Sequence, residues 1–230
     1  MAKLIVGDLE FEWLVSDKRK HPAVVVDRDG SLQVRSSPQE TQDDLIRLIE
    51  SKRLSIYMKL AQKGKLLKPK SEKEYVEGEG FSYLGRSYRL SLVDAGDAPL
   101  VFDRGRFFLD KNCISSAKEL FIQWYTQQGK KHIPALIRRY SSRLGEKPAG
   151  YKIQELGYRW ASCGKDRYLY FHWKTLMLPL SIVEYLVAHE TSHLREMNHS
   201  PEFWRILSSL LPDYQERKRW LAENGAGIGL

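Results

Sequence analysis

The sequence predicts an α+β protein: a β-rich N-terminal lobe with one basic helix, followed by a helix-rich domain that contains a small sheet. Two observations lead to this fold class. Short apolar–polar alternations separated by turn residues dominate the first half of the chain, whereas segments with helical periodicity dominate the second half. With 230 residues, the chain has room for two modest domains. We place them at residues 1–111 and 112–230.

In the N-terminal part, strands are predicted first and a helix after them. The segments 23–27 and 31–35 flank Asp29-Gly30, a dipeptide typical of tight hairpin turns. Apolar residues at helical spacing then predict a helix over about 40–62. A basic linker is expected at 64–73, because this stretch is rich in lysine and has little apolar content.

Two further hairpins complete the predicted β-rich lobe. One spans 81–90 and turns at Gly85, and the other spans 100–109 and turns at Gly105. Glycine suits both positions because it adopts the positive φ angles that tight turns require.

Helices and strands are both expected at the start of the second domain. One helix is predicted to begin near Ser116 with a capping box and to end at Gly129, and a second spans 133–144. Strand character returns at 151–160 and at 168–173.

The stretch AHETSHLREMNHS, residues 188–200, holds three of the six histidines. It belongs to an apolar segment in which Ser181 and Glu184 fit a capping box, and this pattern predicts a helix start. His189 and His193 lie one helical turn apart, so both imidazoles can reach one ion. The stretch therefore predicts a metal site on a buried helix.

A glutamate and a third histidine complete the cluster. Glu190 is rotated by about 100° from His189, so its carboxylate can take a proton from water beside the ion. His199 follows the HExxH motif after five intervening residues, and Ser200-Pro201 predicts a new helix at that point. Three imidazoles leave one coordination position open, which is typical of catalytic zinc. We expect one Zn²⁺ per chain and Glu190 as general base. The expected ligands are His189, His193 and His199. We also expect the strand predicted at 168–173 to lie beside this helix, with an edge that could pair with an extended peptide.

These groups suit hydrolysis of an amide, so the leading function is a zinc metallopeptidase acting on protein or peptide substrates. One alternative keeps the zinc but hydrolyses a non-peptide bond, such as a nucleotide phosphoanhydride. A second alternative is a nucleic-acid-binding module with a structural zinc. This alternative needs a fourth protein ligand, for which Cys163 and His172 are the candidates.

Several segments match a known family of hydrolases. They are YRWASC at 158–163, LP at 178–179, HETSHL at 189–194, NHSPEFW at 198–204 and LPDY at 211–214, with a weaker match of FSYLGRSYRL at 81–90. Through these segments the chain resembles the YgjP-type predicted metal-dependent hydrolases, metallopeptidases related to the SprT and WLM proteins. The resemblance implies a zincin-like fold for the catalytic domain. It also implies zinc on the three histidines, with Glu190 as base.

Two further residues are candidate contacts to the substrate or to an oxyanion. Arg159 lies near the end of the predicted strand 151–160, and His172 lies in the predicted strand 168–173. Packing within the strand is the alternative for His172, as a packed thiol is for Cys163.

The charge distribution bears on partners. The net charge is +8, with eight basic residues in 52–73 and five in 129–143. Such runs suit nucleic acid as a partner, but solvated helix faces and a linker are the more common explanation. The chain has no apolar run near the ~20 residues needed to cross a bilayer. Its N-terminus lacks a signal-peptide pattern. We therefore expect a cytoplasmic protein without a membrane partner.

Overall fold

The computed structural model describes all residues except 1, 18, 20, 28–30, 54, 58, 61–72, 95–97, 158 and 226–227. The chain forms two compact units, Met1–Lys70 and Ser71–Leu230, and each has its own hydrophobic core. Sheets and helices occur in both units, which confirms the predicted α+β class. The Asp29-Gly30 turn lies wholly outside the described residues, and so does the predicted basic linker except for its last residue, Lys73.

The first unit is a four-stranded sheet with a helix. Its elements are β1 (Ala2–Val6), β2 (Leu9–Val15), β3 (Ala23–Val26), β4 (Leu32–Ser36) and α1 (Gln42–Ser51). The strand order is β1-β2-β4-β3, and β3 pairs antiparallel with β4 as the predicted hairpin requires. Thr41 and Asp44 form a capping box at the start of α1. Buried Leu45 and Ile49, one turn apart, join the core of the sheet.

The second unit begins with another four-stranded sheet. Its strands are β5 (Gly80–Tyr83), β6 (Arg86–Val93), β7 (Leu100–Asp103) and β8 (Arg106–Asp110), in the order β5-β6-β8-β7. Both predicted hairpins are confirmed by antiparallel pairing, and their turns contain Gly85 at φ 80° and Gly105 at φ 78°.

A short 3₁₀ segment, Lys111–Ser116, leads from this sheet into the long helix α2, Ala117–Leu144. Phe81 of the sheet stacks on Phe121 of α2, with ring centroids 4.1 Å apart. Because the sheet and the helices share one core, the compact units divide after Lys70 rather than after residue 111. The assignment of the catalytic function to the C-terminal part of the chain stays a prediction.

The α2 helix corrects two expectations. The helix continues through Gly129 to Leu144, whereas the sequence predicted a break at Gly129. Gly129 serves close packing instead, because an added Cβ would lie 2.5 Å from Cδ1 of Ile153. The expected capping box at Ser116 is absent, since the Ser116 hydroxyl donates to the carbonyl of Cys113. Gly145, at φ 67°, ends the helix as predicted.

A three-stranded sheet follows, formed by β9 (Gly150–Gln154), β10 (Ala161–Cys163) and β11 (Tyr168–His172). The strand order is β10-β11-β9. The strand expected over 151–160 is shorter in the structure, because β9 ends at Gln154. β11 is the central strand of this sheet. The sequence had suggested that the strand at 168–173 offers a free edge beside the metal-site helix. That expectation was wrong, because β11 is paired on both sides and β10 is the strand that contacts the helix.

The C-terminal part is helical. It contains a 3₁₀ segment, Trp173–Met177, and the helices α3 (Leu180–Ser192), α4 (Pro201–Leu210) and α5 (Tyr214–Asn224). Across the part of the chain that the structure describes, no helix combines the length and the apolar content that a membrane crossing needs.

Candidate metal centre

The helix α3 carries the HExxH residues, and its start differs from the sequence prediction. Pro179 is the N-cap residue, so Ser181 lies inside the helix and caps nothing. Glu184 is engaged elsewhere: its carboxylate accepts hydrogen bonds from Arg139 at 2.8 Å and Arg217 at 2.6 Å. These two arginines lie on α2 and α5, so Glu184 fixes α3 between its neighbouring helices.

The body of α3 is almost entirely buried. Val183 and Val187 are fully buried, and Leu186 is nearly so. The two hydroxyls within the motif are satisfied along the helix, because Thr191 donates to the carbonyl of Val187 and Ser192 donates to that of Ala188. The helix is therefore a rigid platform for the polar side chains of the motif.

Three histidines converge at the end of α3. Nε2 of His199 lies 2.9 Å from Nε2 of His189, and one ring nitrogen from each histidine, His193 included, lies within 4.8 Å of the others. The chain turns after α3, and Ser200 caps α4 by accepting from the N–H of Phe203, with Pro201 in the first turn. This turn brings His199 back towards the helix, as the sequence predicted.

The ring of Phe203 packs against all three imidazoles. Its ring centroid lies 4.9 Å from that of His189, 4.5 Å from that of His193 and 4.7 Å from that of His199. Phe203 is itself fully buried. The sequence predicts Phe203 only as a residue of the helix that begins at Ser200-Pro201, because its contact with the histidines depends on the turn between α3 and α4.

The donor set is compatible with a metal ion such as zinc. A tetrahedral zinc with nitrogens at ~2.0–2.1 Å separates its ligand atoms by about 3.4 Å, which lies between the 2.9 Å separation of the His189 and His199 Nε2 atoms and the 4.8 Å limit of the whole group. Nδ1 of His193 lies 3.0 Å from the carbonyl of Glu196, the second contact by which metal-binding histidines are commonly oriented. With the Nδ1–H donated to that carbonyl, Nε2 keeps its lone pair for a metal. His189 Nδ1 is buried and makes no hydrogen bond within the described structure.

The electrostatics keep the three imidazoles neutral. Burial, reinforced by the neighbouring His193 and His199, lowers the pKa of His189 to about 3. Burial is also the main cause that lowers the pKa values of His193 and His199. Since neutral imidazole is the form that binds metals, the cluster is ready to act as a donor set at neutral pH.

Glu190 is only 6% exposed, and burial raises the pKa of its carboxyl group to about 8. A hydrogen bond from the backbone of Cys163 and the positive charge of Arg159 act in the opposite direction. A carboxyl group with a pKa near neutrality is suited to moving protons. The hydrogen bond from the Cys163 backbone places the Glu190 carboxyl group next to β10, on the side of α3 that faces the small sheet.

The other predicted site residues differ in position. Arg159 is exposed and lies close enough for its charge to act on Glu190. His172 is only 1% exposed; its Nε2 lies 2.7 Å from the Glu155 carboxylate, and its Nδ1 accepts from the N–H of Lys174. These bonds favour a structural role for His172, at the start of the 3₁₀ segment. Neither His172 nor Cys163 joins the histidine cluster within the described residues.

Sequence reasoning missed an aromatic and cationic group next to His199. Trp204 stacks on the His199 ring with centroids 5.4 Å apart, and Tyr214 also stacks on Trp204, at 5.6 Å. The ammonium of Lys218 lies 4.4 Å from the centre of a Trp204 ring. These residues come from two helices, so no spacing in the sequence could have grouped them.

Three histidines and a buried glutamate with HExxH spacing are typical of metal-dependent peptidase sites. The comparison with protein families agrees: the model described as YgjP-like, metallopeptidase domain, matches residues 20–224. The chain therefore belongs to the YgjP-like metallopeptidase family, which confirms the resemblance found from the sequence.

Other comparisons add little. No curated protein matches the chain. Among solved structures, the chain is similar to the crystal structure of the metallopeptidase zymogen of Pyrococcus abyssi abylysin, at 21% identity and a TM-score of 0.37. The match covers 42% of this chain and 99% of that chain. A similarity of this size supports no inference about fold or activity.

Proposed function

We propose that this protein is a zinc-dependent peptidase in which Glu190 acts as general base. The proposed metal ligands are His189, His193 and His199. The observation that carries the proposal is the convergence of three ring nitrogens within 4.8 Å on the helix that holds a buried carboxylate. A zinc ion held by these residues would lower the pKa of a water molecule to about 7 and polarise the scissile carbonyl.

In this proposal the chain itself moves the proton. Glu190 accepts a proton from the attacking water and passes it to the leaving nitrogen of the peptide. Burial stabilises the protonated form of Glu190 between these two steps. Arg159 is the proposed contact for the substrate, because it is exposed and acts on the same carboxylate.

The edge of β10 is the proposed binding surface for the peptide backbone. Trp160 and Gly164, which flank the strand, bond to His172 and Tyr168 of the neighbouring strand, at 2.8 Å each. In an antiparallel ladder such pairing alternates, so the backbone groups of Ala161 point towards the other edge of β10. An extended peptide can add to this edge through main-chain hydrogen bonds.

The two alternative functions have no specific observation in their favour. A structural zinc would need a fourth protein ligand, and the cluster among the described residues contains three. For nucleic acid, much of the 52–73 run lies outside the described residues. In the 129–143 run, Arg139 pairs with Glu184, and Arg143 donates to main-chain carbonyls. Both arginines therefore have structural partners.

The proposal is tested by Glu190→Gln. The amide keeps the size of the side chain but cannot accept the water's proton at neutral pH, so we expect at least a ~100-fold loss of peptide cleavage. Zinc content, measured by elemental analysis, should equal that of the wild type. Unchanged cleavage by Glu190→Gln would exclude Glu190 as the base. If the zinc-loaded wild type leaves a diverse set of quenched fluorescent peptides intact, the peptidase proposal fails.

A further inference from the structure

A pocket lies beside the metal centre, between α4 and α5. Its volume is about 440 Å³, and it is open to solvent. Its lining consists of Trp204, Tyr214, Gln215, Lys218, Arg219 and Ala222. Two aromatic rings and two cationic side chains thus surround the same space, and none of these residues belongs to the proposed catalytic set.

A ladder of rings joins this pocket to the metal centre. His199 stacks on Trp204 with an interplanar angle of 22°, and Trp204 stacks on Tyr214 with an angle of 19°. Trp204 therefore belongs to both places. Its ring stacks on His199, a proposed metal ligand, and its indole also lines the pocket. The ring ladder therefore connects the histidine cluster to the pocket.

In the described part of the chain, neither Lys218 nor Arg219 forms an ion pair with a carboxylate. The neighbouring Arg217 differs, because Glu184 and Asp213 both bind it. Arg205 on α4 is likewise neutralised, by Glu202. The positive charge next to the metal centre therefore remains available to an outside anion.

Lys218 lies next to the ring that stacks on His199 of the metal centre. The ammonium is held in place over the Trp204 ring at 4.4 Å, a cation–π contact. The aromatic surface thus presents the cation next to the proposed reaction centre.

We propose that this pocket binds a carboxylate of the peptide substrate through Lys218 and Arg219, while Trp204 and Tyr214 contact its apolar part. The inference rests on the proposed peptidase function. It assigns to the same site a preference for peptides that carry a carboxylate near the scissile bond. An extended peptide advances ~3.3 Å per residue, so the ring spacings place this carboxylate within about three residues of the scissile bond. An acidic side chain and a free C-terminus can both supply it.

The test measures binding separately from cleavage. Three peptides are identical except at one position and at the C-terminus. The first has an acidic residue near the expected scissile bond and a C-terminal amide. The second has a free C-terminal carboxylate and no acidic residue, and the third has neither carboxylate. Their affinities for the Glu190→Gln protein are measured by fluorescence anisotropy, with zinc and after zinc removal. The zinc-free arm detects carboxylates that bind the metal directly.

Each measurement is repeated with Lys218→Glu and Lys218→Gln in the same background. The matched control is Lys118→Glu, an exposed lysine of α2 outside the pocket and the metal centre. Circular dichroism establishes that each variant is folded. A single exposed ion pair changes affinity a few-fold, and reversing its charge adds repulsion, so Lys218→Glu should weaken binding of the preferred acidic peptide by about 5- to 10-fold. Lys218→Gln should have a smaller effect in the same direction, and Lys118→Glu none.

The peptide that shows the preference identifies the source of the carboxylate. Equal binding of acidic and neutral peptides to the Lys218-containing protein would overturn the inference. A preference that survives Lys218→Glu, or that disappears with the zinc, would overturn it as well. Cleavage by the zinc-loaded wild type reports on the peptidase proposal independently, so failure of one is distinguishable from failure of the other.

Discussion

At the scale of single residues, the metal centre depends on how its imidazoles are held. The carbonyl of Glu196 orients His193, and the ring of Phe203 contacts all three histidines. Neutral imidazoles and fixed orientations mean that little must be reorganised when a metal binds. The folded protein should therefore bind zinc far better than the unfolded chain does, and zinc should stabilise it.

The first residue-scale prediction concerns His193→Ala. At a zinc concentration of 100 times the dissociation constant, ligand binding stabilises a folded protein by about 2.7 kcal/mol. The wild type should melt at a higher temperature with zinc than after chelation, whereas His193→Ala should show little shift and little retained zinc. His21→Ala removes an exposed histidine outside the cluster and should behave as the wild type. A full zinc shift in His193→Ala would remove His193 from the ligand set.

At the scale of elements, the position of α3 depends on a charged network. Burial would raise the pKa of Glu184, but the hydrogen bond from Arg217 and the charges of Arg217 and Arg139 help to outweigh it, so the pKa is lowered. Glu184 joins α3 to both α2 and α5. The network thus replaces the capping box that the sequence suggested, and it links the start of the metal-site helix to its neighbours.

The element-scale prediction is a pH-dependent effect of Glu184→Gln. Because the folded protein lowers the pKa of this carboxyl group, its ionised form stabilises the fold above the ordinary pKa of 4.5, and that contribution is lost as the pH falls through the lowered value. At pH 7 the variant should lose about 1–2 kcal/mol of unfolding free energy. The difference from the wild type should shrink below pH 4.5 in urea titrations.

The control for this network is Glu202→Gln, which breaks an exposed ion pair with Arg205. Its effect on stability should be much smaller, because water screens exposed charges. If both variants lost the same stability at pH 7, the link between α3 and its neighbouring helices would be no stronger than a surface contact.

At the scale of the whole molecule, the histidine cluster and the core around it lie entirely within Ser71–Leu230. The first unit has its own core of strands and α1. The family match nevertheless spans 20–224 and so includes most of the first unit. The proposed zinc site and the family match therefore have different extents along the chain.

The whole-molecule prediction follows from the separate cores. A fragment of residues 71–230 should fold and bind one zinc per chain, and a fragment of residues 1–70 should bind none. Elemental analysis and circular dichroism of the two purified fragments provide the measurement. A folded 71–230 fragment that cannot hold zinc would imply that residues of the first unit are needed at the site.

The sequence by itself determined the parts of this protein that depend on neighbours a few residues apart. The spacing of His189 and Glu190 on one helix, the Ser200-Pro201 helix start and the glycine turns of the hairpins all lie within one or two turns of chain. Local geometry decides such features, because helix periodicity and positive φ angles are properties of short segments. For this reason the histidine cluster was found without a structure.

Only the tertiary structure decided which segments meet. The α2 helix passes through Gly129, where Ile153, far along the chain, packs in the space that a side chain would fill. The edge strand is β10 rather than β11, since β9 occupies the other side of β11. Lys218 reaches Trp204 and His199 through the packing of α4 and α5. Contacts of this kind depend on how distant faces bury one another, and no local spacing encodes that choice.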